Sequence, residues 1–219
     1  MDQNVILVET VPLEFDLESL GCRLRIRPGQ TKFMDRLSRL AEEAVRVARP
    51  KAVARLCGLT ILDEEKVQVG EVIFSSPLLR QKMDGLGRAF PYLASEGMEL
   101  ADWSLSLSSS LEQVFAREVA VQQAEKLLER TLLERYGIAQ VSAMNPGSLK
   151  VWSLEEQVPL FELLAPLPEK LGVTLLPSLM MRPEYSVSGV FFQTDSKFYN
   201  CQLCPKKECP NRKVPSLVT

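Results

Sequence analysis

The chain contains no histidine. Imidazole is the usual general base near neutral pH and a common metal ligand, so Ser-His-Asp and Cys-His triads are excluded. No run of about 18 apolar residues exists to span a bilayer. The start Met1-Asp2-Gln3-Asn4 lacks the basic segment of a secretion signal, which predicts a cytoplasmic protein with no membrane association. Charge of one sign is also lacking: 26 basic against 28 acidic residues leave a net −2. With a pI near 5.5 there is no strongly basic surface, and nucleic acid is excluded as a partner. Internal repeats, low-complexity tracts and linkers are absent as well. Cysteine is sparse, five in all, and an odd number does not read as a disulfide framework.

What remains is the composition of an ordinary globule, 46% apolar and 25% charged over 219 residues. That length predicts one large domain over residues 1–200, followed by a proline-punctuated tail, 201–219. Val5-Ile6-Leu7-Val8 reads as a short strand, and Cys22-Arg23-Leu24-Arg25-Ile26-Arg27 alternates like a half-buried one before Pro28-Gly29 turns the chain. Behind Thr31 as N-cap, Leu37, Leu40, Ala41, Ala44, Val45 and Ala48 recur at helical spacing up to Pro50. Val67, Val69, Val72 and Phe74 alternate except for a one-residue slip at Gly70, which predicts a bulge.

Ser76-Pro77 has the form of an N-cap followed by proline at the first helical position. Ser110-Leu111-Glu112-Gln113 is a capping-box pattern, and the helix behind it runs over 111–136 to Gly137. A second such pattern, Ser153-Leu154-Glu155-Glu156, precedes Pro159, so that helix is kinked or starts later. Residues 173–181, 185–193 and 196–202 read as three successive antiparallel strands. Glu96 and Glu99 read as solvated charges, and Met180-Met181 as core filling. Together these elements predict an α+β fold, a mainly antiparallel twisted sheet with flanking helices.

Between 145 and 199 the residues fall into a familiar order: Asn145-Pro146-Gly147-Ser148, Trp152-Ser153-Leu154-Glu155-Glu156, Ser178-Leu179-Met180-Met181-Arg182-Pro183, Ser186-Val187-Ser188-Gly189-Val190-Phe191-Phe192 and Asp195-Ser196-Lys197-Phe198-Tyr199. This stretch resembles the activation (reactivation) domain of cobalamin-dependent methionine synthase. The resemblance implies an accessory role in reductive methylation. The domain holds S-adenosylmethionine beside a corrinoid, so that one low-potential electron and a methyl group together return inactive cob(II)alamin to the methylated state. It further implies that cobalamin comes from a partner, the cobalamin-binding domain of methionine synthase or another corrinoid protein, with a flavodoxin- or ferredoxin-type electron donor.

By the same resemblance the S-adenosylmethionine surface comprises Asn145, Pro146, Gly147 and Ser148 with Gly189 and Phe191. The family loop Arg-x-x-Pro-Gly-Tyr corresponds here to Ala143-Met144-Asn145-Pro146-Gly147-Ser148. Its arginine and tyrosine are therefore replaced by Ala143 and Ser148, and a ligand-contacting tyrosine of the strand by Phe191. Loss of a bidentate cation costs about 1.5–3 kcal/mol unless Lys150 or Arg182 substitutes.

One motif owes nothing to that family. Cys201-x2-Cys204-x4-Cys209 gathers three soft ligands in a short segment with basic neighbours, and reads as a metal site, a redox-active thiol set or incidental cysteines. Zinc or an iron-sulfur cluster there would take Cys201, Cys204 and Cys209 plus a fourth ligand such as Cys22, Cys57, a carboxylate or an exogenous group. That gives two alternatives to reactivation by S-adenosylmethionine: an electron-transfer module for a corrinoid protein, and a non-catalytic relative that only docks on one.

Overall fold

The computed structural model describes residues 2–24, 26–27, 29–107, 110–206, 212 and 214–217, with 110–115 as backbone only. In chain order the elements are β1 (Val5–Val8), α1 (Leu17–Arg23), α2 (Thr31–Val47), β2 (Lys51–Arg55), β3 (Cys57–Ile61), β4 (Lys66–Val69) and β5 (Val72–Ser75). Then come α3 (Pro77–Lys82), β6 (Arg88–Ser95), α4 (Met98–Leu105), α5 (Ser110–Tyr136) and β7 (Val141–Met144). The chain continues with α6 (Gln157–Leu164), α7 (Leu167–Leu171), β8 (Thr174–Leu175), β9 (Met181–Arg182) and β10 (Ser186–Gln193).

Eight strands form one sheet in which every pairing is antiparallel. β6 is its centre: one edge takes β2 along Tyr92–Ser95 and β3 at Arg88–Ala89, and the other takes β10, which carries β7 outside it. Because both faces of β6 are covered, its sequence Phe-Pro-Tyr-Leu-Ala is continuously buried rather than alternating. Tyr92 and Ala94, with Ala52, Ala54 and Phe191, pack under Ala124, Leu128 and Leu132 of α5. Leu93, Val53, Val190 and Phe192 point the other way, into a core with Trp152 and with Leu160, Leu163 and Leu164 of α6. The result is a layered α+β domain with α5 on one face and α6 and α7 on the other, as the apolar patterning predicts.

Several local signals carry through. Ser76 Oγ accepts from the Leu79 amide at 3.2 Å and Pro77 opens α3. α5 ends at Gly137, which adopts φ +60°. The second capping-box pattern leads instead into a 3-10 turn at Leu154–Glu156, with no side-chain cap from Ser153, and α6 starts behind it so that Pro159 lies in its first turn.

Other expectations are overturned. Among the described residues of 22–27 there is no strand. Asp16 caps α1, accepting from the Ser19 amide at 3.0 Å, and the helix carries Cys22 and Arg23. A local cap outweighs three alternating apolar residues. Gly70 is no bulge: Val69 pairs with Val72, so Gly70-Glu71 is a two-residue hairpin turn, with φ +60° at the glycine. The three C-terminal strands do not pair in succession. β8 and β9 form their own two-stranded hairpin, β10 pairs β6 and β7, and 196–202 holds a 3-10 turn at Asn200–Leu203. Met180 is half exposed rather than core.

Glu96 is likewise no solvated charge but is fully buried. Arg117 of α5 donates to it twice, at 2.8 Å and 2.7 Å, and the Tyr185 amide donates at 3.2 Å. The carboxylate thereby ties the long helix to the ends of β6 and β10.

Candidate functional site

A cleft of about 530 Å³ opens between α5 and the β10–β7 edge of the sheet. One wall is α5, whose helical spacing places Glu125 and Glu129 one turn apart on the same side. Ala143 of β7, Asn145 and Phe191 of β10 form the opposite wall, and the stretch Lys197–Cys201 closes the rim. Phe191 is buried and stacks on Tyr92 with ring centroids 3.9 Å apart and planes 16° from parallel.

A continuous polar chain crosses this apolar base. Tyr92 Oη donates to Glu125 Oε1 at 2.6 Å, and Asn145 Nδ2 donates to Tyr92 Oη and to the Ser188 carbonyl, both at 2.8 Å. Asn200 Nδ2 in turn donates to Asn145 Oδ1 at 3.1 Å, which leaves the buried Asn200 Oδ1 without a partner. A buried acceptor without a donor carries an energetic cost that a ligand amine or hydroxyl would relieve. Lys197 forms an ion pair with Glu129 across the cleft. Burial raises the Tyr92 phenol well above its usual range, and the Glu125 carboxylate raises it further, so it stays a donor.

Of the residues expected to bind a ligand, Asn145 and Phe191 meet in this cleft, as does Ala143. Pro146, Gly147, Ser148 and Gly189 are not among its lining residues, although the loop leaves directly from Asn145. Gly147 has φ +76°, and a Cβ there would lie 2.7 Å from Leu154 Cδ1, so a glycine is required by the turn itself. Gly189 is a close-approach glycine. A Cβ would lie 2.6 Å from Asn145 Nδ2 and 2.9 Å from Tyr92 Cε1, and would strike the Met144 carbonyl oxygen. Its role is to let Asn145 seat against the sheet.

Lys150 and Arg182 do not line the cleft; the cations that do are Lys126 and Lys197. Sequence reasoning missed Tyr92, Glu125, Glu129 and Asn200. The available signals were the two carboxylates one turn apart on α5 and a hydroxyl tip inside an otherwise apolar strand.

Cys201 lines the cleft and Cys204 lies one turn further on, both half-buried. Cys209 lies outside the described residues. Among the described residues no group of three metal-ligating side chains comes together, and no helix is long and apolar enough to cross a membrane.

The sheet, the long helix and the edge cleft define an α+β domain of one recognisable architecture. The fold is that of the reactivation domain of MetH: a crystal structure described as the MetH reactivation domain bound to AdoHcy superposes with a TM-score of 0.63 at 14% identity, covering 89% of this chain and 80% of that one. No protein-family model matches the sequence. No curated protein matches it either.

Proposed function

We propose that the chain is an accessory protein of cobalamin-dependent methyl transfer, which holds S-adenosylmethionine in the cleft and presents it to the corrinoid of a partner's cobalamin-binding domain. One observation carries the reading. Ala143, Asn145 and Phe191, which the sequence resemblance aligns with the family's ligand surface, share a single cleft in a fold whose solved neighbour binds AdoHcy.

The residues suit such a ligand. The volume is within the range of small-molecule pockets. Glu125 faces the charge of a sulfonium or ammonium group, while Lys126 is the cation available to a carboxylate, Lys197 and Glu129 being paired with each other. Asn200 Oδ1 is an acceptor in search of a donor, and Tyr199 offers aromatic surface to a purine above the buried floor that Phe191 forms. The ligand, when bound, supplies an electrophilic methyl group. This chain's part is to bind, orient and desolvate it, and a flavodoxin- or ferredoxin-type donor supplies the electron.

The test is transfer of isotopically labelled methyl from S-adenosylmethionine to an oxidised corrinoid on a cobalamin-binding domain, with a low-potential donor present. Label reaching the corrinoid only when this chain is added supports the reading. Equal labelling with and without the chain contradicts it.

A further inference from the structure

We propose that Cys201 and Cys204 are a redox-convertible dithiol in the wall of the cleft, which closes to an intramolecular disulfide. Cys201 lies in the 3-10 segment Asn200–Leu203 and Cys204 caps its C-terminal end, where the Cys204 amide donates to the Cys201 carbonyl at 3.4 Å across one i to i+3 turn. In a 3-10 helix residues i and i+3 eclipse one another at a rise of about 2.0 Å per residue, which places their Cα atoms about 6 Å apart. That separation is inside the range a disulfide spans, about 4.4–6.8 Å.

The turn is also fixed in place. Arg212 donates to the Cys201 carbonyl at 3.0 Å, Ser216 Oγ to the Cys204 carbonyl at 3.1 Å, and the Leu217 amide to the Gln202 carbonyl at 2.8 Å. Both sulfurs are free thiols on half-buried residues, within reach of a small reagent. The other described cysteines do not compete: Cys22 sits on α1, and Cys57 is buried in the main core with its thiol pushed up to about 11 by that burial.

The oxidant is a low-molecular-weight disulfide. The thiolate of one cysteine attacks a sulfur of that disulfide, forming a mixed disulfide and expelling one small thiolate. The second cysteine, giving up its proton, attacks the protein sulfur and expels the other. The protein pair loses two electrons and two protons, and the small disulfide becomes two thiols.

A consequence for the cleft rests on the ligand reading above; the disulfide itself does not. Cys201 lines the cleft beside Asn200, which bonds Asn145, so a molecule bound there shields Cys201 and slows its conversion.

The experiment incubates the full chain in mixtures of reduced and oxidised glutathione, quenches with acid, alkylates and digests with trypsin. Cys201 and Cys204 share the peptide Phe198–Lys206, and Cys209 falls in another. The expected result is that this peptide becomes two hydrogens lighter and resistant to alkylation, reverting with dithiothreitol. Cys204→Ser should instead leave a glutathione adduct on Cys201. A dominant link from Cys209 to either cysteine overturns the proposal. So does persistent alkylation of both across the glutathione range, or stoichiometric zinc or iron that blocks the thiols. If the disulfide forms but S-adenosylmethionine leaves its rate unchanged, the dithiol stands and the ligand reading loses support.

Discussion

Tyr92 Oη lies 2.6 Å from Glu125 Oε1, joining the centre of the sheet to the cleft-facing side of the long helix. The same oxygen accepts from Asn145, so one buried phenol orients both walls of the site. Tyr92→Phe leaves a carboxylate oxygen without its donor and costs about 1–3 kcal/mol. The check is a shift of the urea midpoint with unchanged slope; an unchanged midpoint contradicts the role. The phenol is raised by burial first and by Glu125 second, so the stability it contributes is intact below the unfolded value near pH 10 and is lost as pH rises beyond it.

Gly189→Ala forces a methyl group into Met144, Asn145 and Tyr92. Two of these contacts involve the polar chain of the site and one is backbone, so relief requires the β10–β7 edge to move. The expected loss is about 1–3 kcal/mol, read by thermal unfolding, and near wild-type stability contradicts the close-packing account.

Glu96→Gln removes the buried partner of Arg117, with 12% of its side chain exposed, and leaves the exposed Glu184, 3.7 Å away, as its remaining counter-charge. Breaking such a pair costs about 3 kcal/mol even where the pair itself is no net gain. Burial raises the Glu96 carboxyl above the usual carboxylate range, although the Arg117 bonds and charge pull it down. A raised value favours the protonated form in the native state. The stability this group contributes is therefore full below its unfolded value and lost as pH rises through the folded one. Comparing urea midpoints of wild type and Glu96→Gln just above the carboxylate range checks the sign; a wild-type advantage that grows with pH there contradicts it.

Cys57 combines burial with a thiol raised to about 11, so it has little thiolate at pH 8. Native protein should be alkylated at Cys201 and Cys204 before Cys57, with Cys57 reacting only on unfolding. Mass spectrometry of a time course reads the order, and early labelling of Cys57 contradicts the packing around it.

Legibility in the sequence followed the range of the interactions involved. α3 was readable because its cap is local and α5 because its apolar spacing is, with Gly137 marking the end of the latter; the capping-box side chains expected at 110–113 lie outside the described residues. Lost were features set by distant chain: β10 enters between β6 and β7, which no local alternation encodes, and the buried Glu96 meets Arg117 only because α5 arrives over the end of β6. The cleft shows the same division. Asn145 and Phe191 could be named from their motifs, whereas Tyr92, Glu125 and Asn200 come from three segments whose meeting is purely tertiary.

Calorimetric titration of S-adenosylmethionine into anaerobically purified chain, alone and with a cobalamin-binding domain, tests the central claim most directly. The account predicts saturable binding with a dissociation constant on the order of micromolar, weakened at least tenfold by Tyr199→Ala at the rim of the cleft. Absence of binding heat both with and without the partner domain contradicts it.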